Sequence, residues 1–403
     1  MDLFANVNIK WMRHKWYFIS VSFLLLIIGW SAVIKRGGFK YGIDFKGGTL
    51  VEVKFAQKPD LSKIRKVLKR AKLEVAEVTR FDEESRNEVQ IKFKAVKKED
   101  VKTFQNMRGL IYEILKNSFD SGVSEKKLDI NNVGKDVLAS TLLKSQILEK
   151  MGIIKSGALD EERVAKYNEI ASKIATYRTK HGIIKSFDEL SALDIPKPLL
   201  DYIKDNFFCG SFTILGVESV GPKIGKELRK KAILAIVLSL LGMLIYIAFR
   251  FKFSFGVGAV VALFHDVLIT LGLFTLIGKE INLPVVAALL TLVGYSINDS
   301  IVVFDRVREN MRLMRNENFI KIIDDSINQT LSRTVITSGT TFVSVLALYL
   351  FGGEVLSGFS IVLVIGIIVG TYSSIAIASP IVLWWVKFFG SEEDKKRLKL
   401  AAK

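Results

Sequence analysis

Cysteine is nearly absent from this chain: Cys209 is the only one among 403 residues. A disulfide within the chain is therefore impossible, and any part outside the cytoplasm must be held together by its own hydrophobic core. The cysteine and the three histidines do not have the spacing of a metal site, so we expect no bound metal.

Motifs for nucleotide binding and covalent catalysis are missing as well. The chain has no GxxxxGK[ST] loop to cradle phosphates and no Gly-x-Ser-x-Gly nucleophile elbow. We therefore expect that the protein is not an enzyme and needs no cofactor. Any work that it performs must draw on an energy source other than ATP bound at such a loop.

Acidic residues are fewer than basic ones, 41 against 58, which leaves a net charge of +17. Nucleic acid binding would explain this balance, but much of the positive charge flanks long hydrophobic segments. The positive-inside rule of membrane proteins accounts for charge in those places without a polyanionic partner. We therefore expect a protein embedded in the lipid bilayer and no nucleic acid partner.

Hydrophobic runs are concentrated in residues 17–34 and 231–386, whereas residues 35–230 are charged and resemble a soluble domain. The first run, of about 18 residues, is long enough to span a bilayer. A cleaved signal peptide is the alternative, but Gly29-Trp30-Ser31 is a poor cleavage signal. Five further segments are long enough to cross, at about residues 232–250, 255–277, 283–304, 335–351 and 359–386.

The connections between these segments predict their orientation. Arginine and lysine cluster after the second and sixth segments and between the fourth and fifth, whereas the connections near Lys279 and Glu354 are short and carry little positive charge. Because positive loops stay in the cytoplasm, residues 1–16 and 387–403 are predicted to be cytoplasmic. Residues 35–230 then form one large extracytoplasmic domain.

Strand and helix patterns alternate in the predicted extracytoplasmic domain. Alternating β-formers predict strands at residues 49–55, 74–81, 88–93 and 211–220, and helical spacing predicts helices at 61–70 and 100–115. The order β-α-β-β-α-β is that of a ferredoxin-like fold, built from residues 41–120 and 211–222. Residues 122–210 are predicted to form a helical insertion before the last strand.

Part of this insertion, residues 171–208, resembles a helix-hairpin-helix unit of the competence-protein type. The resemblance rests on Tyr177, Arg178, His181-Gly182, Lys185-Ser186-Phe187 and Glu189-Leu190. In DNA-binding members, glycines of the hairpin present backbone N–H groups to phosphate, but here the hairpin reads Asp194-Ile195-Pro196 and proline has no N–H. We therefore expect a structural or partner-docking role for the insertion.

Asp299 is the most informative residue for function, because it lies within the fourth hydrophobic segment. A carboxylate at membrane depth is costly unless it is paired, hydrated or protonated, and such residues tend to mark ion or proton paths. Tyr295 and Ser296 lie one turn before it, and Asn298 adjoins it. Desolvation favours a neutral carboxyl and a nearby cation favours a charged one, so Asp299 is a candidate proton carrier. A buried structural group is the alternative.

Other polar residues of the hydrophobic segments are candidates for the same proton path. Arg333, at the start of the fifth segment, is either the counter-charge of Asp299 or a positive anchor at the membrane surface. His265 and Asp266 form a second polar pair in the third segment. Hydroxyls of the fifth segment either extend a hydrated path or pack helices together. They belong to Thr337, Ser338, Thr340 and Thr341.

Two further features are interpreted as structural. Asp305 is followed three residues later by Arg308, which predicts an ion pair on a helix that leaves the membrane. The run Tyr41–Gly48 ends in paired glycines, which predict a tight turn or a close backbone approach before the first strand. The residues of interest in this run are Gly42, Asp44, Phe45, Gly47 and Gly48.

Four motifs, in order along the chain, resemble those of the SecF branch of the SecD/SecF family, accessory membrane proteins of the bacterial Sec translocase. They lie at residues 41–48, 217–225, 294–310 and 328–334. Asn298-Asp299-Ser300 and Phe304-Asp305-Arg306 favour this branch over SecD, whose motif is closer to Val-Asp-Ala-Asn and Phe-Glu-Arg. The insertion at 122–210 departs from the family pattern, because most members lack it.

The resemblance implies a membrane α-helical bundle of the resistance-nodulation-division superfamily in the bacterial inner membrane. It also implies pairing with SecD beside the SecYEG translocon, where the proton gradient helps to draw the translocating polypeptide outward. In that picture Asp299 and Arg333 match family positions linked to proton passage. A lipid or small-molecule exporter half of the same superfamily is the alternative function.

Overall fold

The computed structural model describes residues 7–392, except 72, 82–86, 95–106, 125, 155–158 and 252, together with Lys395 and Leu398. Residues 100–106 of one predicted helix and parts of both predicted terminal segments lie outside these residues. The chain divides into two compact units: residues 1–46 with 224–403, and residues 47–223. The chain therefore passes from one unit to the other twice, at 46/47 and at 223/224.

The secondary structure follows the predicted order. The first part of the chain contains α1 (Lys15–Lys35), α2 (Ile43–Lys46), β1 (Gly48–Phe55), α3 (Leu61–Arg70), β2 (Val75–Phe81), β3 (Glu88–Lys94) and α4 (Met107–Phe119). The insertion and last strand contain β4 (Leu128–Asp129), α5 (Lys135–Leu143), α6 (Ile147–Lys150), α7 (Asp160–His181), α8 (Lys197–Asn206), β5 (Phe207–Phe208) and β6 (Phe212–Val220). The remainder contains α9 (Pro222–Arg250), α10 (Phe253–Ile277), α11 (Leu283–Leu313), α12 (Phe319–Phe351), α13 (Gly353–Ser373) and α14 (Ser379–Phe389).

Among the described residues, six helical segments are long and apolar enough to cross a membrane: α1, α9, α10, α11, α12 and the segment that comprises α13 and α14. A helix satisfies its own backbone hydrogen bonds, which is why such segments are stable where water is absent. The last segment is interrupted by a π-helical turn, Ser374–Ala378, just before Pro380. Proline has no N–H to donate, so the helix widens where that bond is missing.

Helices α10, α11 and α13 form the inside of the bundle, whereas α9 and α12 present most of their surface outward. Two glycines, Gly29 and Gly272, let the backbones of α1 and α10 cross closely. A Cβ atom at Gly29 would lie 2.8 Å from the backbone of Gly272. Small residues at such crossings let membrane helices approach closely and gain van der Waals contact.

The second unit contains a four-stranded antiparallel sheet in the order β2-β3-β1-β6. Side chains of β3 alternate between buried and exposed faces, as expected for a sheet with one face covered. Helices α3 and α4 bury that face with Ile64, Leu68, Ile111 and Leu115. The described elements therefore follow the predicted order of strand, helix, strand, strand, helix and strand.

The insertion has its own hydrophobic core, built from α5, α7, α8 and their connections. The side chain of Asn132 joins it to the sheet, because it makes the pair of backbone hydrogen bonds that a neighbouring strand would make. Asn132 Nδ2 donates to Phe212 O at 2.8 Å, and Ile214 N donates to Asn132 Oδ1 at 2.9 Å. Asn131 makes the same kind of pair with Ile184, at 2.8 Å in both directions. The Asn132 amide therefore binds backbone groups of β6, whereas the Asn131 amide binds backbone groups within the insertion.

Asp129, which precedes these two asparagines in the chain, is buried. Its carboxylate accepts bonds from Asn131 N at 2.9 Å, Asn132 Nδ2 at 2.7 Å and Gly210 N at 3.2 Å. Burial raises the pKa of this carboxyl, and the hydrogen bonds oppose the rise. Burial also raises the pKa of the nearby Cys209 thiol to about 12. The single cysteine is therefore not a reactive thiolate at neutral pH.

The glycine crossing of α1 and α10 predicts a stability difference between two glycine substitutions. Gly29→Ala forces the two backbones apart and should destabilise the purified protein by about 1–3 kcal/mol. Gly242→Ala, on the outer side of α9, adds a Cβ atom with nothing within 4 Å. Thermal unfolding in detergent should show a lower midpoint for the first variant only, and equal midpoints would contradict the crossing.

Candidate functional site

Asp299 lies on the inner face of α11, and only 2% of its surface is exposed. Ser338 of α12 donates its hydroxyl to Asp299 Oδ2 at 3.0 Å. A buried carboxyl needs such partners, because an unsatisfied charge in a membrane is costly. The Ser338 hydroxyl can remain hydrogen-bonded to Asp299 whether the carboxyl is protonated or not.

Arg333 does not form the predicted ion pair with Asp299. Its side chain is exposed, and the contacts of the described residues include no salt bridge between the two. Arg333 and Ser338 are five residues apart on α12, so they point to different sides of the helix. Direct contact is made by Ser338 instead, which the sequence suggested only as part of a longer path.

Asp266, one helix away, is the centre of a second buried cluster and is 1% exposed. Ser296 and Ser373 donate to its Oδ2 atom at 2.6 and 2.8 Å. His265 Nδ1 lies 3.0 Å from its Oδ1 atom. Gly370 leaves room for this arrangement, since a Cβ atom there would lie 3.0 Å from Ser296 Oγ. Three helices, α10, α11 and α13, thus contribute to this cluster.

The two clusters are adjacent along α11. Ser296, which contacts Asp266, precedes Asp299 by three residues and therefore lies on the same face one turn away. His265 Nε2 is buried without a hydrogen-bond partner, as is the Tyr295 hydroxyl. Buried polar atoms normally have a partner, so each of these two atoms has an unused capacity for a hydrogen bond.

Ser373 and Gly370 are members of this site that the sequence interpretation missed. The signal that would have found Ser373 is the group of serines in the otherwise apolar last segment, at Ser373, Ser374 and Ser379. Gly370 has no such signal, because its role is only to leave space for side chains that arrive from two other helices.

Several predicted members lie apart from the site. Asn298 is exposed on the outer side of α11, one residue from Asp299 and on a different face. The hydroxyls of Thr337, Thr340 and Thr341 donate to backbone carbonyls of their own helix, at 2.9, 3.0 and 2.9 Å. Of the four predicted hydroxyls of α12, the one that binds Asp299 is that of Ser338.

The charged end of α11 is held by a different set of bonds from the predicted pair of Asp305 and Arg308. Asp305 is exposed, and Arg308 reaches the carbonyl of Arg250 at 3.5 Å. The pair that forms is Arg306 with Glu309, at 2.6 Å.

Gln329 of α12 fastens the same end of α11. Its Oε1 atom accepts bonds from Arg306 Nε at 2.6 Å and from Asn310 Nδ2 at 2.9 Å. Two of the motifs singled out in the sequence, at 304–310 and 328–334, therefore contact each other and fix the turn between α11 and α12.

Asn328, the neighbour of Gln329, holds the segment before α1. Its side chain donates to Ile9 O at 3.0 Å and accepts from Trp11 Nε1 at 2.9 Å. Asp324 accepts a further bond from Met12 N at 2.9 Å. The N-terminal segment is thus attached to the beginning of the helix that carries Ser338.

The run Tyr41–Gly48 holds the opposite end of α11. Asp44 Oδ2 accepts a bond from Leu283 N at 2.8 Å, so its carboxylate satisfies a free N–H group at the helix start. Gly42 N donates to Ile281 O at 2.9 Å, and Phe45 is buried against Val285 and its neighbours. A carboxylate at a helix N-terminus is also favoured by the helix dipole.

The paired glycines of this run have conformations that other residues avoid. Gly47 has φ +77°, and a Cβ atom there would lie 2.9 Å from Pro222 Cα. Gly48 has φ +145° and begins β1. The predicted close backbone approach is therefore present, and it lies where the chain passes from one unit to the other. One short motif thus contains both the cap of α11 and the start of the sheet.

The bond from Leu283 N to Asp44, which adds to the N-cap bond between Val285 N and Asn282, predicts a loss of stability when Asp44 is replaced. Asp44→Ala should cost about 0.5–2 kcal/mol, and Asp44→Asn should recover part of it because an amide oxygen still accepts the bond. Lys46→Ala, an exposed neighbour, is the control and should change stability by less than about 0.5 kcal/mol. Equal thermal unfolding midpoints for Asp44→Ala and the control would show that the cap contributes nothing.

Two family models match the chain. The model described as protein export membrane protein SecD/SecF, C-terminal, matches residues 202–388. The model of the SecD/SecF GG motif matches residues 37–59, which include the paired glycines.

Curated relatives extend the likeness over nearly the whole chain. The protein translocase subunit SecF of Koribacter versatilis is 44% identical over 97% of this chain and 95% of its own length. The subunit SecF of Desulfurispirillum indicum is 35% identical over 94% and 91%. The crystal structure of SecDF, a translocon-associated membrane protein from Thermus thermophilus, aligns with a TM-score of 0.61 at 30% identity over 96% of this chain. The chain spans 39% of that longer protein.

Proposed function

Because the chain belongs to the SecF family of protein translocase subunits, we propose that it pairs with SecD and uses the proton gradient to assist polypeptide export. The single observation that carries this proposal is the buried carboxyl of Asp299, held by a serine hydroxyl inside a membrane-spanning helix. An ionisable group in that position is costly, and such residues usually mark ion or proton paths.

Proton exchange at Asp299 would change the interactions of α11. A protonated carboxyl is neutral and stable in the bundle interior, whereas a deprotonated one attracts the charge of Arg333 on α12. One elementary charge that crosses the membrane field is worth about 2.3 kcal/mol per 100 mV. Repeated protonation and release would therefore make free energy of this size available to drive a movement of α11 relative to α12. Ser296, Asp266 and His265 would extend the proton path from Asp299 toward α10.

Asn298 and Arg333 do not belong to the buried group around Asp299 in this proposal, because both lie on the outside of the chain. Arg333, Thr337, Thr340 and Ser344 recur at intervals of three or four residues along α12 and are exposed or half-exposed. Polar residues of membrane helices normally face protein or water rather than lipid. We propose that SecD covers this polar stripe and that Arg333 completes the proton path between the two subunits.

The longer SecDF relatives support such a pairing. The SecDF of Thermus thermophilus is one chain, of which this chain matches 25% at 50% identity. The presence of both parts in that one chain supports an association of this chain with a SecD part. SecYEG and the translocating polypeptide are the further partners that we propose.

For localisation we propose the bacterial inner membrane, with both termini in the cytoplasm and residues 47–223 outside it. The order β2-β3-β1-β6 supports a ferredoxin-like domain with a helical insertion. This domain would contact the emerging polypeptide, and the Tyr41–Gly48 motif would link its first strand to the capped end of α11. We propose no enzymatic activity, cofactor or metal for this subunit.

Asp299→Asn is expected to abolish the part of export that depends on the proton gradient, because an amide cannot exchange the proton. The amide still accepts a bond from Ser338, so folding and co-purification with SecD should persist. Asp305→Asn is the matched control, since this carboxylate lies on the same helix but is exposed. Translocation into inverted membrane vesicles, with and without an imposed gradient, measures the effect.

Full gradient-dependent export by Asp299→Asn would overturn the proton-carrier role. Normal export together with a loss of lipid or small-molecule efflux would favour the exporter alternative. Loss of export by Asp305→Asn to the same degree would show that the effect is not specific to the buried carboxyl.

The polar stripe of α12 is expected to contact SecD directly. A photocrosslinking amino acid at Thr340 should yield a covalent adduct with SecD in membranes. The same amino acid at Leu241, which is 49% exposed on α9, should not. Adducts from both positions, or from neither, would contradict the assignment of the stripe as the SecD surface.

A further inference from the structure

An open apolar groove of about 440 Å³ lies between α12, α13 and the start of α1. Its walls include Val335, Ser338 and Phe342 of α12, Ile367 and Tyr372 of α13, and Trp11 before α1. The volume is within the range of small-molecule and cofactor sites. Its lining is almost entirely hydrocarbon, so the occupant must be apolar where it lies in the groove.

The proposed SecD surface does not cover this groove. Val335 is two residues from Arg333, Ser338 is two from Thr340, and Phe342 is two from Ser344. Two residues correspond to about 200° around a helix, so the groove and the polar stripe lie on opposite sides of α12. A helix that packs on the stripe therefore leaves the groove open to the bilayer.

Basic residues adjoin, along the chain, the residues that line one end of the groove. Trp11 and Phe18 line that end, and the exposed Lys10 and Arg13 and the partly exposed Lys15 lie beside them in the chain. This end coincides with the start of α1, where a membrane-spanning helix meets the surface of the bilayer. Basic residues between membrane helices at such a surface attract anionic headgroups.

We propose that the groove binds an anionic phospholipid. One acyl chain lies against Phe342 and Ile367, and the headgroup contacts Lys10, Arg13 and Lys15. The site is held open by Tyr372, whose hydroxyl donates to the carbonyl of Phe18 and accepts from Ser22 at 3.1 Å. These bonds fix α1 against α13 without filling the space between α13 and α12. The lipid tail would lie on the wall that carries Ser338, one hydrogen bond from Asp299.

Native mass spectrometry of the complex with SecD tests this site. The complex is taken from nanodiscs that contain equal phosphatidylglycerol and phosphatidylcholine with the same acyl chains. We expect phosphatidylglycerol to be retained in preference. Replacement of Lys10 and Arg13 by glutamine should lower that preference about fivefold for each charge. Lys46→Gln with Lys230→Gln removes the same charge elsewhere and is the control.

Gly339 lines the groove, and a Cβ atom added to it meets nothing within 4 Å. Gly339→Leu therefore projects a side chain into the groove from a position where its Cβ atom is unobstructed, and should abolish retention of both lipids. Gly242→Leu, at an equally open position on α9, should retain them. Equal retention of the two lipids by the unaltered complex would overturn the proposal. Loss of SecD from the Gly339→Leu complex with lipid retained would assign the groove to the partner subunit instead.

Discussion

The hydrogen bond from Ser338 to Asp299 joins two membrane-spanning helices, α12 and α11. The carboxyl that it binds is costly in lipid and in a hydrocarbon core unless polar groups contact it. Because Asp299 must have polar neighbours, the faces of α11 and α12 that meet there are determined, and so is the outward direction of Arg333. The same requirement gathers Ser296, one turn before Asp299 on α11, and Ser373 of α13 around Asp266 of α10. The interior of the bundle is therefore arranged around two carboxyls, and the apolar side chains fill the remaining space.

Helix α11 is also fixed at both ends by polar contacts. Asp44 caps its first turn, and Arg306 and Asn310 share Gln329 near its last. One motif of this family thus contains the buried carboxyl, and the motifs at 41–48 and 328–334 bind the two ends of the helix that contains it.

The insertion and the sheet are joined by side-chain amides rather than by a further strand. Asn132 supplies a donor and an acceptor to β6, and Asp129 orders the loop that presents it. An unpaired strand edge is prone to aberrant association, and amides at this edge satisfy its backbone groups without extending the sheet. The helix-hairpin-helix pattern of the insertion contributes mainly to a hydrophobic core of its own.

The sequence by itself determined the six apolar segments, the order of strands and helices, the family and the position of Asp299 within a membrane-spanning segment. These features are local: hydrophobic length, side-chain periodicity and the cost of a carboxylate in an apolar run can all be read from neighbouring residues. Only the tertiary structure decided that Ser338 rather than Arg333 contacts Asp299, that Asn298 lies outside, and that Ser373 and Gly370 complete the Asp266 cluster. Those outcomes depend on the rotation of each helix about its axis, which is set by packing against helices distant in sequence.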